Sequence, residues 1–167
     1  VSLPVIFLDL DGPLFPSRSM FFPENKHNLN LFPPNLPETI RVMCGYWKMD
    51  PLAVLMLNKV IEITNTEFVI SSSWREVCDK HDMEILFELN GLDVTLHQDW
   101  ETPRTNFHTL RSHEIKSWLE DHPEVTKWVA VDDDESIKTL PKKNRVLVSY
   151  DDGILTQHYR HMIEVLS

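Results

Sequence analysis

Val5-Ile6-Phe7-Leu8-Asp9-Leu10-Asp11-Gly12 is the stretch on which the reading of this chain turns. A run of Val, Ile, Phe and Leu reads as a strand buried on both faces. Side chains alternate along a strand, so Asp9 and Asp11 point the same way if the strand continues through them, and Leu10 points into apolar packing. Paired carboxylates at the end of a central parallel strand sit where open α/β sheets bind ligands. Left alone they repel, and one holds a proton. A hard dication such as Mg²⁺ relieves the repulsion, typically with one or two carboxylates, waters and a phosphate oxygen. Gly12 lets the backbone turn sharply after the pair. The bland alternative is a strand ending in solvent with a turn glycine.

The same pattern returns late in the chain. Trp128-Val129-Ala130-Val131 runs into Asp132-Asp133-Asp134-Glu135, an apolar strand ending in carboxylates. Four acids in a row are costly if crowded and unpaired. They are either metal ligands or an acidic surface turn. Between the two acidic strand ends, Glu67 to Ile70 reads as a short strand entering Ser71-Ser72-Ser73-Trp74-Arg75. Three hydroxyls before a helix expected to reach Leu89 make either an anion site or plain N-capping.

The remaining elements alternate. Pro51 to residue 65 reads as a helix with Asp50 as N-cap, with Leu52, Leu55, Val60 and Ile63 among the core-facing residues. Gly91 stops the second helix. A short strand is expected from Asp93 to His97, and a loop from Trp100 to Thr109. A helix from Ser112 to Asp121 puts Ile115, Trp118 and Leu119 on one face. Arg111 stands at its start and Lys116 just over a turn on; either can reach a phosphate, or both are solvated charges. Val146 to Val148 is a strand, Asp151-Asp152-Gly153 a turn, and Thr156 to Leu166 a closing helix whose His158 and His161 read as surface residues. Strands alternating with helices imply a parallel sheet covered on both sides.

Residues 13 to 50 differ in texture. Seven prolines punctuate residues 13–51, and Phe15, Phe21, Phe22, Phe32, Tyr46 and Trp47 mix with Arg18, Lys26, Arg41 and Lys48. Dense proline forbids long regular elements, and dense aromatics argue against disorder. The stretch is either a flap over the carboxylates, suited to a flat ring beside a phosphate, or an irregular mini-core.

Composition narrows the classes. The length, 167 residues, suits one domain. A net charge of −10, from 26 acidic and 16 basic residues, disfavours nonspecific binding along nucleic-acid backbones, but not a small anion at a local positive site. Cys44 and Cys78 have no zinc or disulfide spacing and read as buried thiols. No apolar run reaches membrane-span length, so no membrane partner and a cytoplasmic setting are expected.

In chain order, then, three strand ends carry Asp-x-Asp-Gly, Ser-Ser and Asp-Asp, with a cation on the helix before the last. The chain resembles the haloacid dehalogenase (HAD)-type phosphohydrolase superfamily through Asp9-Leu10-Asp11-Gly12, Val69-Ile70-Ser71-Ser72-Ser73-Trp74-Arg75, Arg111-Ser112-His113-Glu114-Ile115 and Val129-Ala130-Val131-Asp132-Asp133. Ser-Ser-Trp-Arg and Arg-x-x-Glu-Ile segments also resemble small phage-type members, some linked to nucleic-acid repair.

The resemblance implies a three-layer α/β/α Rossmann-like fold with a mainly parallel central sheet and a minimal cap at 13–50. It implies Asp9 as nucleophile and Asp11 as general acid and base. Mg²⁺ would be held by Asp9, the Asp11 carbonyl, Asp132 and Asp133. Ser71, or else Ser72, would donate to the phosphoryl group, and Arg111, or else Lys116, would neutralise it. Gly12 and Arg75 complete the expected phosphate site. The substrate would be a small phosphorylated molecule, such as a nucleotide, or a nucleic-acid end. Sequestration of a phosphorylated ligand without turnover is the alternative. A cap this small also suits a homo-oligomer in which a second subunit completes the cover. Pro13 departs from the Thr or Val common after Gly12.

Overall fold

The computed structural model describes residues 2–26, 48–103 and 110–167. Five strands form one parallel sheet: β1 (Val5–Leu8), β2 (Glu67–Ile70), β3 (Leu96–Glu101), β4 (Trp128–Asp132) and β5 (Arg145–Leu147), in the order β3-β2-β1-β4-β5. Four helices cover it: α1 (Pro51–Thr64), α2 (Lys80–Leu89), α3 (Arg111–Asp121) and α4 (Thr156–Leu166). The chain winds from β1 outward to β3, then crosses back to β4 on the other side of β1. Such a reversal leaves a crevice at the carboxyl ends of the strands flanking it.

Alternation along β1 builds the three layers. Ile6 and Leu8 join a core with Ala53, Leu57 and Val60 of α1, Met83 and Leu86 of α2, and Met162 and Leu166 of α4. Val5 and Phe7 face the opposite way, into a core with Ile115 and Trp118 of α3, Ile137 and Leu140. There Phe7 meets the edges of Trp118 and Trp128 at ring separations of 5.2 and 5.8 Å. Such edge-to-face pairs contribute about 0.5–1.5 kcal/mol beyond their buried area.

Several expectations shift. Helix α1 starts as read, with Asp50 accepting from the Leu52 amide at 2.9 Å and Asn65 closing it in the left-handed region. Its core face is Ala53, Val54, Leu57 and Val60, while Leu52, Leu55 and Ile63 are exposed. The serines do not open a long helix. A 3₁₀ turn, Ser73–Glu76, follows them, and α2 begins afresh at Lys80 behind an Asp79–Asp82 capping box. β3 lies further along than expected, taking Trp100 and Glu101 from the supposed loop. His158 is half-buried and accepts the Leu155 amide hydrogen at 3.0 Å, so it caps α4 rather than facing solvent.

Residues 13–26 and 48–50 of the proline-rich stretch are described; Phe32, Arg41, Cys44, Tyr46 and Trp47 lie outside the described residues. One side chain, Asn25, joins the described residues on either side of 27–47. The Lys48 amide donates to Asn25 Oδ1 at 2.7 Å, and Asn25 Nδ2 donates to the Ser19 and Lys48 carbonyls at 2.8 and 3.3 Å. Cys78 is a buried free thiol. Among the described residues no helix is long and apolar enough to cross a membrane.

Candidate active site

The crevice gathers what three strand ends carry. β1 and β4 run in register, with Leu8 beside Val131, so Asp9 and Asp132 follow on adjacent strands. The Asp9 amide donates to the Val131 carbonyl at 3.0 Å, holding the exit of β1 against β4. Ligand oxygens of Asp9, Asp132 and Asp133 all fall within 4.8 Å of one another. Asp9 is 6% exposed and Asp132 is fully buried.

Close carboxylates in a dry site raise one another. Burial, then Asp132, pushes the Asp9 carboxyl well above its ordinary range, with Arg111 opposing. Burial pushes Asp132 up to about 6, and burial also raises Asp133. The site therefore has a deficit of positive charge. Asp132 Oδ1 accepts the Asp134 amide hydrogen at 2.8 Å, whereas Oδ2 has no hydrogen bond among the described residues. Three hard oxygens, one without a proton donor, fit a hard dication.

Among the described residues Arg111, the first residue of α3, brings positive charge to the carboxylates. Its Nε lies 3.1 Å from Asp132 Oδ2, an ionic contact without hydrogen-bond alignment, and its Nη2 lies 4.0 Å from Asp9 Oδ1. Lys116, on the same helix, is exposed to solvent, so of these two cations Arg111 is the one beside the carboxylates. Arg75 takes a different place from the one expected. It is buried, its Nη1 donates to the Ser71 and Ser72 carbonyls, and its Nη2 meets Glu114 at 2.8 Å. A guanidinium so engaged shapes the loop after β2.

That loop buries both serines. The Ser72 side chain lowers the Asp9 pKa and its hydroxyl accepts the Trp74 amide hydrogen at 3.4 Å, while the buried Ser71 hydroxyl has no partner among the described residues. Asp11 stands outside the carboxylate triplet. The strand ends at Leu8, and the Asp11 carboxylate turns to accept the Trp74 indole N–H at 2.9 Å. Trp74 is stacked on Phe15, ring centres 5.2 Å apart.

Gly12 touches Asp133 rather than an open anion pocket. With φ at +81°, a Cβ there would fall 2.8 Å from Asp133 Cγ, so only glycine lets the acidic loop lie this close. Asp134 caps the following 3₁₀ turn through the Ser136 amide, and exposed Glu135 pairs with Lys138. Two of the four consecutive acids thus serve the surface.

Two contributors escaped the sequence reading. Glu114 joins Arg75 at 2.8 Å and Arg111 at 3.4 Å. Its i,i+3 spacing from Arg111 was the available signal; the Arg75 contact spans distant chain segments. Trp74 as partner of Asp11 had no signal in spacing.

Comparison with known proteins gives no match to a curated protein and none to a solved structure. The family described as the HAD domain in Swiss Army Knife RNA repair proteins matches residues 5–159, from the first residue of β1 into α4, and the chain belongs to that family of HAD-type phosphohydrolases.

Proposed function

We propose that this chain is a Mg²⁺-dependent phosphomonoester hydrolase that works through an aspartyl-phosphate, acting on a nucleotide or a nucleic-acid end. The observation that carries the proposal is the convergence of Asp9, Asp132 and Asp133 within 4.8 Å, with Arg111 beside them. A dication held by these three carboxylates would neutralise phosphoryl oxygens and screen the nucleophile from them.

In the first step an Asp9 oxygen bonds to phosphorus as the bond to the leaving oxygen breaks, and Asp11 gives that oxygen a proton. In the second, water attacks the same phosphorus, Asp11 takes its proton, and Asp9 departs as carboxylate with release of phosphate. Ser71, or else Ser72, and Arg111 would face the charge that develops on the phosphoryl group. Separation of Asp11 from the triplet supports this division: three carboxylates for the ion and nucleophile, one for the proton. The RNA repair proteins named in the family description support a phosphorylated RNA end as one such substrate.

Release of phosphate from an aryl phosphate and from 5′- and 3′-phosphorylated oligonucleotides, with and without Mg²⁺, tests the reading. Asp9→Asn is expected to lower turnover at least about a thousandfold. Activity that survives this substitution removes Asp9 as nucleophile.

A further inference from the structure

A second cluster of donor side chains lies at the edge of the sheet, apart from the carboxylate triplet. β3 meets β2 at Leu96 opposite Phe68 and again at Glu101 opposite Ile70. The edge strand advances further than its partner between these points, so it bulges there. Bulges re-aim side chains, and this one carries His97 and Asp99. His122, the residue that ends α3, comes up against them. Ligand atoms of His97, Asp99 and His122 all lie within 4.8 Å of one another.

Hydrogen bonding inside the cluster leaves a charge unaccounted for. His122 Nδ1 is 2.7 Å from the Trp118 carbonyl oxygen, and its Nε2 is 2.9 Å from Asp99 Oδ2. Both neighbours are acceptors, and a neutral imidazole has one N–H to give. With that hydrogen on the carbonyl, Nε2 turns a lone pair toward a carboxylate oxygen. A positive charge is needed here: a second ring proton across this 2.9 Å contact, or a metal ion that both atoms turn to ligate from one side. An N–H held by a backbone carbonyl is also how proteins orient ligating histidines, since it fixes the tautomer and frees the other nitrogen.

A simple ion pair needs only His122 and Asp99. The structure adds a second imidazole and builds all three residues onto one tryptophan. His122 stacks on Trp118 with ring centres 3.7 Å apart, and His97 meets the same indole edge-on at 5.0 Å. The Trp118 indole N–H donates to the Asp99 carbonyl at 3.0 Å, holding the bulge. His97 Nδ1 accepts the Asp99 amide hydrogen at 3.0 Å, a contact at an exposed residue that water can replace when a metal takes the ring.

We propose that His97, Asp99 and His122 bind a transition-metal dication of the zinc class, joining the edge strand β3 to the end of α3. Two imidazoles and a carboxylate suit zinc with water in the remaining position. The all-oxygen triplet suits Mg²⁺, so donor chemistry sorts two metals between two sites. The first residue of the helix so pinned is Arg111.

Calorimetric titration of the intact chain with zinc chloride, at Mg²⁺ saturating the carboxylates, tests this without any activity measurement. One zinc per chain is expected. His122→Phe, which retains a flat ring against Trp118, and His97→Phe are each expected to weaken it by at least about tenfold. Absence of zinc binding, or equal affinity in both variants, overturns the proposal. Nitrogen NMR of the unsubstituted protein gives an independent reading. Zinc should shift the His122 Nε2 resonance to that of a metal-bound nitrogen. A ring that keeps both protons through the titration identifies a salt bridge instead and also overturns it.

Discussion

Trp74 does at the scale of one residue what the loop after β1 cannot do alone. Its N–H fixes the Asp11 carboxylate, and its ring is held in turn by Phe15. A proton donor works only when aimed at the leaving oxygen. Trp74→Phe preserves an aromatic face and deletes the N–H. On the proposed mechanism it should lower turnover of alkyl phosphates, whose leaving group needs the proton, by about tenfold, and leave nitrophenyl phosphate nearly unchanged. Equal loss on both substrates would mean that Trp74 serves packing alone. The indole stood in plain view in Ser71-Ser72-Ser73-Trp74-Arg75, yet its contact with Asp11 forms only when β1 and β2 lie side by side.

Helix α3 shows how an element places a charge. Glu114 is buried between Arg75 and Arg111, one from the β2 loop and one from its own helix. Breaking a buried pair leaves an uncompensated charge, at a cost of about 3 kcal/mol. Glu114→Gln should therefore lower Tm by roughly 6–12 °C, and should impair activity further by freeing Arg111. Thermal unfolding with and without Mg²⁺ checks the first effect. An unchanged Tm would show that the arginines find other partners.

Elements were legible where their signals were local. Asp50-Pro51 marks the start of α1, and the apolar runs mark β1, β2 and β4. The core face of α1 was not, because Leu52, Leu55 and Ile63 repeat at helical spacing just as Ala53, Leu57 and Val60 do. Only the neighbouring helices choose between the two stripes. The start of α2 was misplaced because Ser72 caps a single 3₁₀ turn, while Asp79 and Asp82 cap the helix itself.

At the scale of the molecule, the sheet order brings Asp9 and Asp132 together from opposite ends of the sequence, and the fold bears their repulsion. A carboxyl raised in the folded state adds stability below its unfolded value, 3.8 for Asp132, and loses it as pH rises through about 6. Stability without metal should thus fall across this window. Mg²⁺, which needs the charged carboxylates, should raise Tm above pH 6 and have little effect well below it. At roughly a hundredfold excess over Kd the gain is about 2.7 kcal/mol. Chelation should reverse it, and Asp132→Asn should remove it. A gain independent of pH and of Asp132 would place the ion elsewhere.

The identity of the three strand ends was legible in the sequence because each motif is contiguous. The places of Ser71 and Ser72, and of Arg111 and Lys116, were not, since Ser71 is left without a partner among the described residues while Ser72 caps a turn, and Arg111 lies against Asp132 while Lys116 is exposed. The clasp formed by Asn25 has a wider consequence. Because one amide side chain ties both Ser19 and Lys48, the turn after the first carboxylates and the residues that lead into α1 share a single fastening, and Asn25→Ala should loosen both at once.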